Sequence, residues 1–153
     1  MTIGENLLPE FDAEMTNTRR ILERVPEDRF DWAPHNKSAT LGKLANHVAT
    51  LPMFVAVIVH GHGKRPAEAK SKDELLRLLD ANIASGRTAL AEVTDEYLLA
   101  VVPVGRGVTM QRAAMLRTRV LSHLIHHRAQ LTVYLRLLEV AVPRMYGPSA
   151  DEQ

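Results

Sequence analysis

Two histidines, His123 and His127, stand four residues apart in a segment whose apolar residues recur at helical spacing. In an α-helix this separation places two side chains about 40° apart around the axis, so both imidazoles can reach one metal ion. The pair alone has a simpler alternative, in which each buried ring has a hydrogen-bond partner. The segment is not the zinc-protease motif, because Leu124 occupies the position at which that motif has its catalytic glutamate.

A third histidine, His47, is predicted to point inward from an earlier helix. Its apolar neighbours on the same helical face are Leu44, Leu51, Phe54 and Ile58. Metal sites in helical bundles are built from side chains on facing helices, so the inward histidines of two helices predict one shared site. Three neutral histidines leave at least one coordination position open, which is typical of catalytic zinc sites. These residues make His47, His123 and His127 candidates for a divalent-metal site, and the alternative, in which the rings only pack and form hydrogen bonds, stays open.

The other polar residues near these positions have more than one interpretation. His126 could compete for the metal or form a hydrogen bond at the edge of the site. His60 and His62 stand beside glycines at a predicted helix end, where capping or exposure to solvent explains them. Gln130 follows His127 by about one turn and could either line the site or donate to a backbone carbonyl.

Four helical segments are predicted to position these residues. The first, residues 6–25, would be capped by Asn6 and ended by Pro26. The second runs from residue 38 or 40 to about residue 60 and contains Pro52. Because proline lacks a backbone donor, this helix should kink at Pro52, about one turn after His47.

The third and fourth helices have clearer signals in the sequence. Ser71-Lys72-Asp73-Glu74 matches a capping box, and Gly86 occupies a slot on the apolar face that follows, which predicts a close helix–helix contact. The fourth helix, residues 109–139, is the longest. Between them, residues 94–108 could form a short hairpin or a plain loop, and residues 142–153 should form an irregular tail.

Length and composition limit the classes of function. The 153 residues suffice for one ordinary domain and are too few for two, so we expect a single domain over residues 1–153. The 19 basic and 18 acidic residues are mixed along the chain, so no nucleic-acid partner is expected. The most apolar stretch, residues 51–59, is about half the length of a membrane span, so no membrane partner is expected. The absence of cysteine fits a cytoplasmic protein and leaves metal binding to histidine and carboxylate groups.

Three segments carry a resemblance to a known family. The first combines Phe30-Asp31-Trp32 with Leu41-Gly42-Lys43-Leu44-Ala45-Asn46-His47. The second is His123-Leu124-Ile125-His126-His127-Arg128-Ala129-Gln130-Leu131, and the third is Tyr146-Gly147-Pro148-Ser149-Ala150-Asp151-Glu152. They resemble the signatures of the DinB/YfiT-like metalloenzyme family in order and spacing, over residues 7–152. One departure is Ala129, where the family usually has glycine.

This resemblance implies an all-α fold, a four-helix bundle in up-down-down-up order. It further implies one divalent metal ion per chain, nickel or zinc, bound by His47, His123 and His127 between the second and fourth helices. A homodimer is implied as well. The topology is feasible, because the connection over residues 60–70 could reach about 35 Å when extended, against roughly 30 Å for parallel second and third helices.

The function implied by some relatives is transfer of a low-molecular-weight thiol to an electrophile, or an isomerisation assisted by such a thiol. The metal stabilises the thiolate nucleophile in that chemistry. The chain has no cysteine and no carboxylate placed for general-base catalysis, which favours a nucleophile supplied by a cosubstrate. We therefore expect a metal-dependent thiol S-transferase, or a related transferase or hydrolase, acting on a small molecule. The alternatives are a non-catalytic metal- or small-ligand-binding helical-bundle dimer, and a bundle whose histidines only pack.

Overall fold

The computed structural model describes residues 1–153 as a mostly helical chain with one small sheet. Its labelled elements are α1 (Ile3–Leu22), α2 (Leu41–Thr50), α3 (Met53–His60), α4 (Lys72–Glu92), α5 (Asp95–Leu99), β1 (Val101–Gly105), β2 (Val108–Gln111), α6 (Arg112–Met115) and α7 (His123–Leu137). A 3₁₀ turn over Glu27–Arg29 follows α1, and a π-helical segment over Leu116–Ser122 joins α6 to α7.

The sheet is the feature that the all-α prediction lacks. Strands β1 and β2 pair antiparallel, with Val101 opposite Gln111. Gly105, which ends β1, and Gly107, in the connecting turn, have φ values of 96° and 74°, which glycine adopts without steric cost. Of the two alternatives for residues 94–108, the hairpin is confirmed from residue 101 onward, whereas residues 95–99 form the short helix α5, which was not predicted. The fourth helix was predicted to begin at residue 109, but residues 109–111 belong to strand β2.

Helix α1 starts one turn earlier than the sequence pattern predicts. The Thr2 hydroxyl accepts from the Glu5 backbone N–H at 3.1 Å, and the Glu5 carboxylate accepts from the Thr2 N–H at 2.7 Å. This reciprocal capping box satisfies the first free donors of the helix, so the prediction of Asn6 as the cap is wrong. The helix ends at Leu22, four residues before Pro26.

The predicted second helix is divided into α2 and α3 at Pro52. The two helices are bent by 43° relative to each other, which confirms the predicted kink. The Thr40 hydroxyl caps α2 by accepting from the Lys43 N–H. No single helix is long and apolar enough to cross a membrane; only α2 and α3 counted together reach that length and composition.

Helix α4 packs against α1, α2 and α3 along its length. Gly86 allows this approach, since a Cβ atom there would lie 3.0 Å from Cζ of Phe11 and 3.2 Å from the carbonyl oxygen of Pro52. The predicted close contact at Gly86 is therefore confirmed. Phe11 is fully buried and belongs to the single apolar core that these helices enclose.

The start of α4 is only half of the predicted capping box. The Ser71 hydroxyl accepts from the Glu74 N–H at 3.2 Å, as predicted. The Glu74 carboxylate instead accepts from the Lys70 N–H at 2.7 Å, one residue before the cap. Both contacts provide an acceptor for a backbone N–H group that has no partner within the helix, so α4 still begins at the expected place.

The predicted fourth helix is three consecutive pieces, α6, the π-helical segment and α7. Leu116, Val120 and Leu121 of the π-helical segment are buried in the core. A π-helix places more residues in each turn than an α-helix, so this segment changes the rotation at which α7 starts. The histidines of α7 follow it directly, at the point where α7 contacts α2.

The C-terminal residues 142–153 contain no helix or strand, but side chains tie them to two helices. The Glu152 carboxylate accepts from Arg20 of α1 at 2.7 Å and from Arg24, just after α1, at 2.6 Å. The Asp151 carboxylate accepts from Arg136 of α7 at 2.6 Å and from the Val142 N–H at 2.9 Å. The Arg136 hydrogen bond holds the pKa of Asp151 below its usual range.

Candidate metal centre

His47 of α2 and the pair His123 and His127 of α7 turn their rings toward one another. Nε2 of His123 lies 3.4 Å from Nε2 of His47 and 2.9 Å from Nε2 of His127. An ion bound at about 2.0–2.1 Å from each nitrogen would separate two ligands by roughly 3.3 Å at a tetrahedral angle and roughly 2.9 Å at a right angle. The structure therefore brings together the three residues that the sequence singles out, at spacings that suit one metal ion.

Gln130 determines which nitrogen of His127 faces the other two histidines. Its Oε1 lies 2.7 Å from Nδ1 of His127. An amide oxygen only accepts hydrogen bonds, so Nδ1 carries the proton and Nε2 presents a lone pair. Of the two alternatives for Gln130, the structure supports a place beside the site rather than a bond to a backbone carbonyl. Contacts of this kind orient metal-binding histidines.

Hydrogen bonds between the rings cannot satisfy all three facing nitrogens. With the lone pair of His127 directed inward, an Nε2 proton on His123 could bridge only one of its two contacts, to His127 or to His47. If His123 instead presents a lone pair, it faces another lone pair on His127. At most one of the two close contacts is thus a favourable hydrogen bond. A divalent cation would accept all three lone pairs, so the donor set fits a metal.

The surroundings keep two of these rings neutral. Burial, together with the nearby rings of His127 and His123, lowers the pKa of His47 to about 4. Burial also lowers the pKa of His127, against the opposing effect of its bond with Gln130. Since metal binding requires neutral imidazole, both residues have the required protonation state at pH 7.

The other histidines lie outside the triad. His126 is exposed, and its ring centroid lies 4.8 Å from that of His127, which supports an edge position rather than a competing ligand. His60 and His62 are both exposed near the end of α3, as predicted. Gly61 provides the left-handed cap of that helix.

Two cavities open on either side of the triad. The first, about 430 Å³, is mainly apolar, and its wall includes Leu51, Phe54, Val57, Ile58, Met115 and Arg119. The second, about 390 Å³, is lined mostly by polar residues, which include Lys37, Ser38, Lys43 and Gln130, and also by Ala39, Leu44 and Tyr134. His47 lines both cavities, while His123 lines the first and His127 the second.

Some residues around the site differ from their predicted positions. Phe54, predicted to point into the core, is 38% exposed and lines the apolar cavity, because the bend at Pro52 rotates α3 relative to α2. Met115 and Arg119 were not predicted to take part. They precede His123 by eight and four residues in the same helical region. This spacing could have predicted that they lie on the same side as His123.

A buried ion pair made by Arg128, the residue after His127, was not predicted either. Arg128 is 1% exposed and donates to the Glu14 carboxylate at 2.6 Å, which joins α7 to α1. Arg128 also donates to the Glu14 carbonyl at 2.8 Å and to the Thr18 hydroxyl at 3.2 Å. The Tyr146 hydroxyl donates to the same carboxylate at 2.7 Å, and burial raises the pKa of Tyr146. This network fixes the residue adjacent to His127.

Comparison with known proteins identifies the family. The model of the DinB family matches residues 1–153. The uncharacterized protein YjoA of Bacillus subtilis (strain 168) is 24% identical over 143 residues, which cover 89% of this chain and 91% of YjoA. A crystal structure of a DinB-like protein from Bacillus cereus superimposes with a TM-score of 0.78 at 24% identity, over 93% of this chain and 97% of that one. The crystal structure of YjoA gives a TM-score of 0.73 at 20% identity, over 97% and 99%. Because the family model covers the whole chain, this protein belongs to the DinB family.

Proposed function

We propose that His47, His123 and His127 bind one divalent metal ion, zinc or nickel, and that the site transfers a low-molecular-weight thiol to an electrophile. The observation that carries this proposal is the convergence of three Nε2 atoms from two helices, with contacts of 3.4 and 2.9 Å. No carboxylate belongs to this group. Three neutral ligands leave the charge of a divalent ion uncompensated and a coordination position open.

The chemistry of the transfer follows from what the chain supplies and what it lacks. A bound divalent ion would lower the pKa of a coordinated thiol and so generate a thiolate near neutral pH. The contact with Gln130 keeps the proton of His127 on Nδ1, so the Nε2 lone pair faces the site. The low pKa of His47 keeps that ring neutral. In the reaction the thiol proton passes to solvent, a carbon–sulfur bond forms, and the leaving group departs with the electrons of the broken bond.

We also infer that the scaffold is a four-helix bundle in up-down-down-up order. In this arrangement α2 and α3 act as one bent helix, and α6 to α7 act as another. The packing of α4 against α1, α2 and α3, together with the contact between α2 and α7, supports it. The site then lies between the second and fourth helices of the bundle.

The transfer is tested with purified protein, a panel of small thiols and the haloaromatic electrophile 1-chloro-2,4-dinitrobenzene. Zinc- or nickel-loaded protein should accelerate conjugation above the rate with metal-free protein. The His127→Ala variant should not, whereas His60→Ala, which changes an exposed histidine outside the site, should behave like the native protein. Equal rates for loaded and metal-free protein with every thiol would refute the transferase and leave a metal-binding role.

A further inference from the structure

The triad stands between two cavities of opposite chemical character, and we propose that each binds one of the two substrates. The lysine-lined cavity takes the anionic, polar part of the thiol cosubstrate, and the apolar cavity takes the apolar body of the electrophile. This inference rests on the proposed thiol transfer and adds the substrate classes. The evidence for it is the chemical character of the residues that line the two cavities, not the metal site itself.

The polar cavity has the features of an anion-binding site. Lys37 and Lys43 line it, and no aspartate or glutamate does. Neither lysine is in an ion pair with a carboxylate. Ser38 and Gln130 add hydrogen-bonding groups to the same wall. Two cationic side chains without partners, close to hydrogen-bond donors, favour a ligand that carries carboxylate groups.

The apolar cavity suits a different ligand. Four side chains of its wall, Leu51, Val57, Ile58 and Met115, carry no charge and no strong hydrogen-bonding group, and Phe54 adds an exposed aromatic ring. Its volume of about 430 Å³ lies within the range of small-molecule sites. An apolar molecule that enters this cavity removes its own surface and that of the wall from water, which stabilises the complex.

The position of the triad explains why the two ligands would react. His47 borders both cavities, so a sulfur atom bound at the triad meets the carbon of a molecule in the apolar cavity. The reverse assignment is less favourable, because the five apolar side chains of that wall would displace the hydration of carboxylate groups, and only Arg119 could replace part of it. Arg119 is the only lysine or arginine of that wall, and it donates to the Val104 carbonyl.

The thiol half of the inference is tested with cobalt-loaded protein and four small thiols of different charge. These are mercaptosuccinate, 3-mercaptopropionate, 2-mercaptoethanol and cysteamine, and the cobalt–sulfur absorption band reports binding of each. Affinity should decrease in that order, from dianion to cation. The double variant Lys37→Gln, Lys43→Gln should bind mercaptosuccinate roughly fivefold to tenfold more weakly, since each exposed ion pair contributes up to about fivefold. Its affinity for 2-mercaptoethanol should stay within about twofold, because a neutral thiol forms no ion pair.

A matched double variant, Lys64→Gln, Lys70→Gln, removes the same charge from exposed positions that line neither cavity and should leave both affinities unchanged. For the apolar half, Met115→Gln should weaken binding of the neutral fluorophore N-phenyl-1-naphthylamine roughly fivefold to tenfold. That variant should keep native affinity for mercaptosuccinate.

The possible failures are distinguishable. If cobalt does not bind stoichiometrically, the proposed metal function fails, and this inference fails with it. If cobalt and thiols bind but thiol charge has no effect, or the lysine variant weakens all thiols equally, the metal function stands and the division of substrates is wrong. A Met115→Gln variant that loses mercaptosuccinate and the fluorophore equally would also overturn the division.

Discussion

Oε1 of Gln130 lies 2.7 Å from Nδ1 of His127, so a residue one helical turn away assigns the proton of a metal-binding candidate. Because the amide oxygen accepts from Nδ1, the other ring nitrogen keeps its lone pair for the site. The contact requires only that His127 and Gln130 be three residues apart within α7. A second helix is needed only to supply His47.

Replacing Gln130 by leucine should weaken metal binding without abolishing it. The variant removes the acceptor that orients the His127 ring, and loss of such a contact typically weakens metal affinity about 10- to 100-fold. Competition with a chromogenic chelator measures the change. Gln111→Leu, at an exposed position in β2, serves as the control. Unchanged affinity in Gln130→Leu would mean that the contact has no role in the site.

The metal-free protein should lose stability as the pH falls from about 6.5 to about 4. The folded state holds the pKa of His47 near 4, chiefly through burial, whereas the unfolded chain has the ordinary value of 6.5. Between these values the unfolded state binds the additional proton, so the free energy of unfolding declines as pH decreases. Thermal unfolding of chelator-treated protein should show this trend, and a His47→Gln variant should show a shallower one. Parallel pH profiles for the two proteins would contradict the assignment.

Removing Arg128 should destabilise the fold strongly. Arg128→Met leaves the buried Glu14 carboxylate without its cation, and breaking a buried pair costs about 3–5 kcal/mol. Tyr146→Phe removes one hydrogen bond to that carboxylate and should cost about 1 kcal/mol. Urea denaturation measures both. The matched control is Arg117→Met, since Arg117 pairs with Glu10 at the surface and should contribute less than about 1 kcal/mol. Similar losses for Arg128→Met and Arg117→Met would refute the role of the buried pair.

A larger side chain at position 86 should separate α4 from α1 and from the bend at Pro52. In Gly86→Val even the first added carbon lies 3.0 Å from Phe11 and 3.2 Å from a backbone oxygen. Overpacking of this kind costs about 1–3 kcal/mol. Ala84→Val, at an exposed position of the same helix, should change stability by no more than about 0.5 kcal/mol. Denaturation midpoints that agree for the two variants would show that the contact is not tight.

The features that the sequence predicted are those that depend on local spacing. His123 and His127 share a face because of a four-residue separation, and Pro52 breaks its helix because it lacks a backbone donor. The inward position of His47 follows from the apolar period of one helix. These rules hold within a few residues, so they do not require knowledge of the tertiary structure.

The features that escaped prediction depend on distant partners or on the choice between similar local structures. Arg128 and Glu14 are separated by 114 residues, and no local pattern marks them as a pair. The hairpin over residues 101–111 is short, and its residues were equally compatible with a loop. The π-helical segment over Leu116–Ser122 differs from an α-helix by a small change in hydrogen bonding. The apolar cavity follows from how α3 packs against α6 and the π-helical segment, and the second cavity from how residues 37–43 lie beside α7.

The central claim is tested most directly by the metal content of protein purified without a histidine tag. Elemental analysis should find about one divalent ion per chain in the native protein and in the His60→Ala variant. The His123→Ala variant should contain much less than one ion per chain. His123 is the decisive position, because its Nε2 contacts the ring nitrogens of both His47 and His127. Full metal occupancy in the His123→Ala variant, or no metal in the native protein after loading with zinc or nickel, would contradict the proposed site.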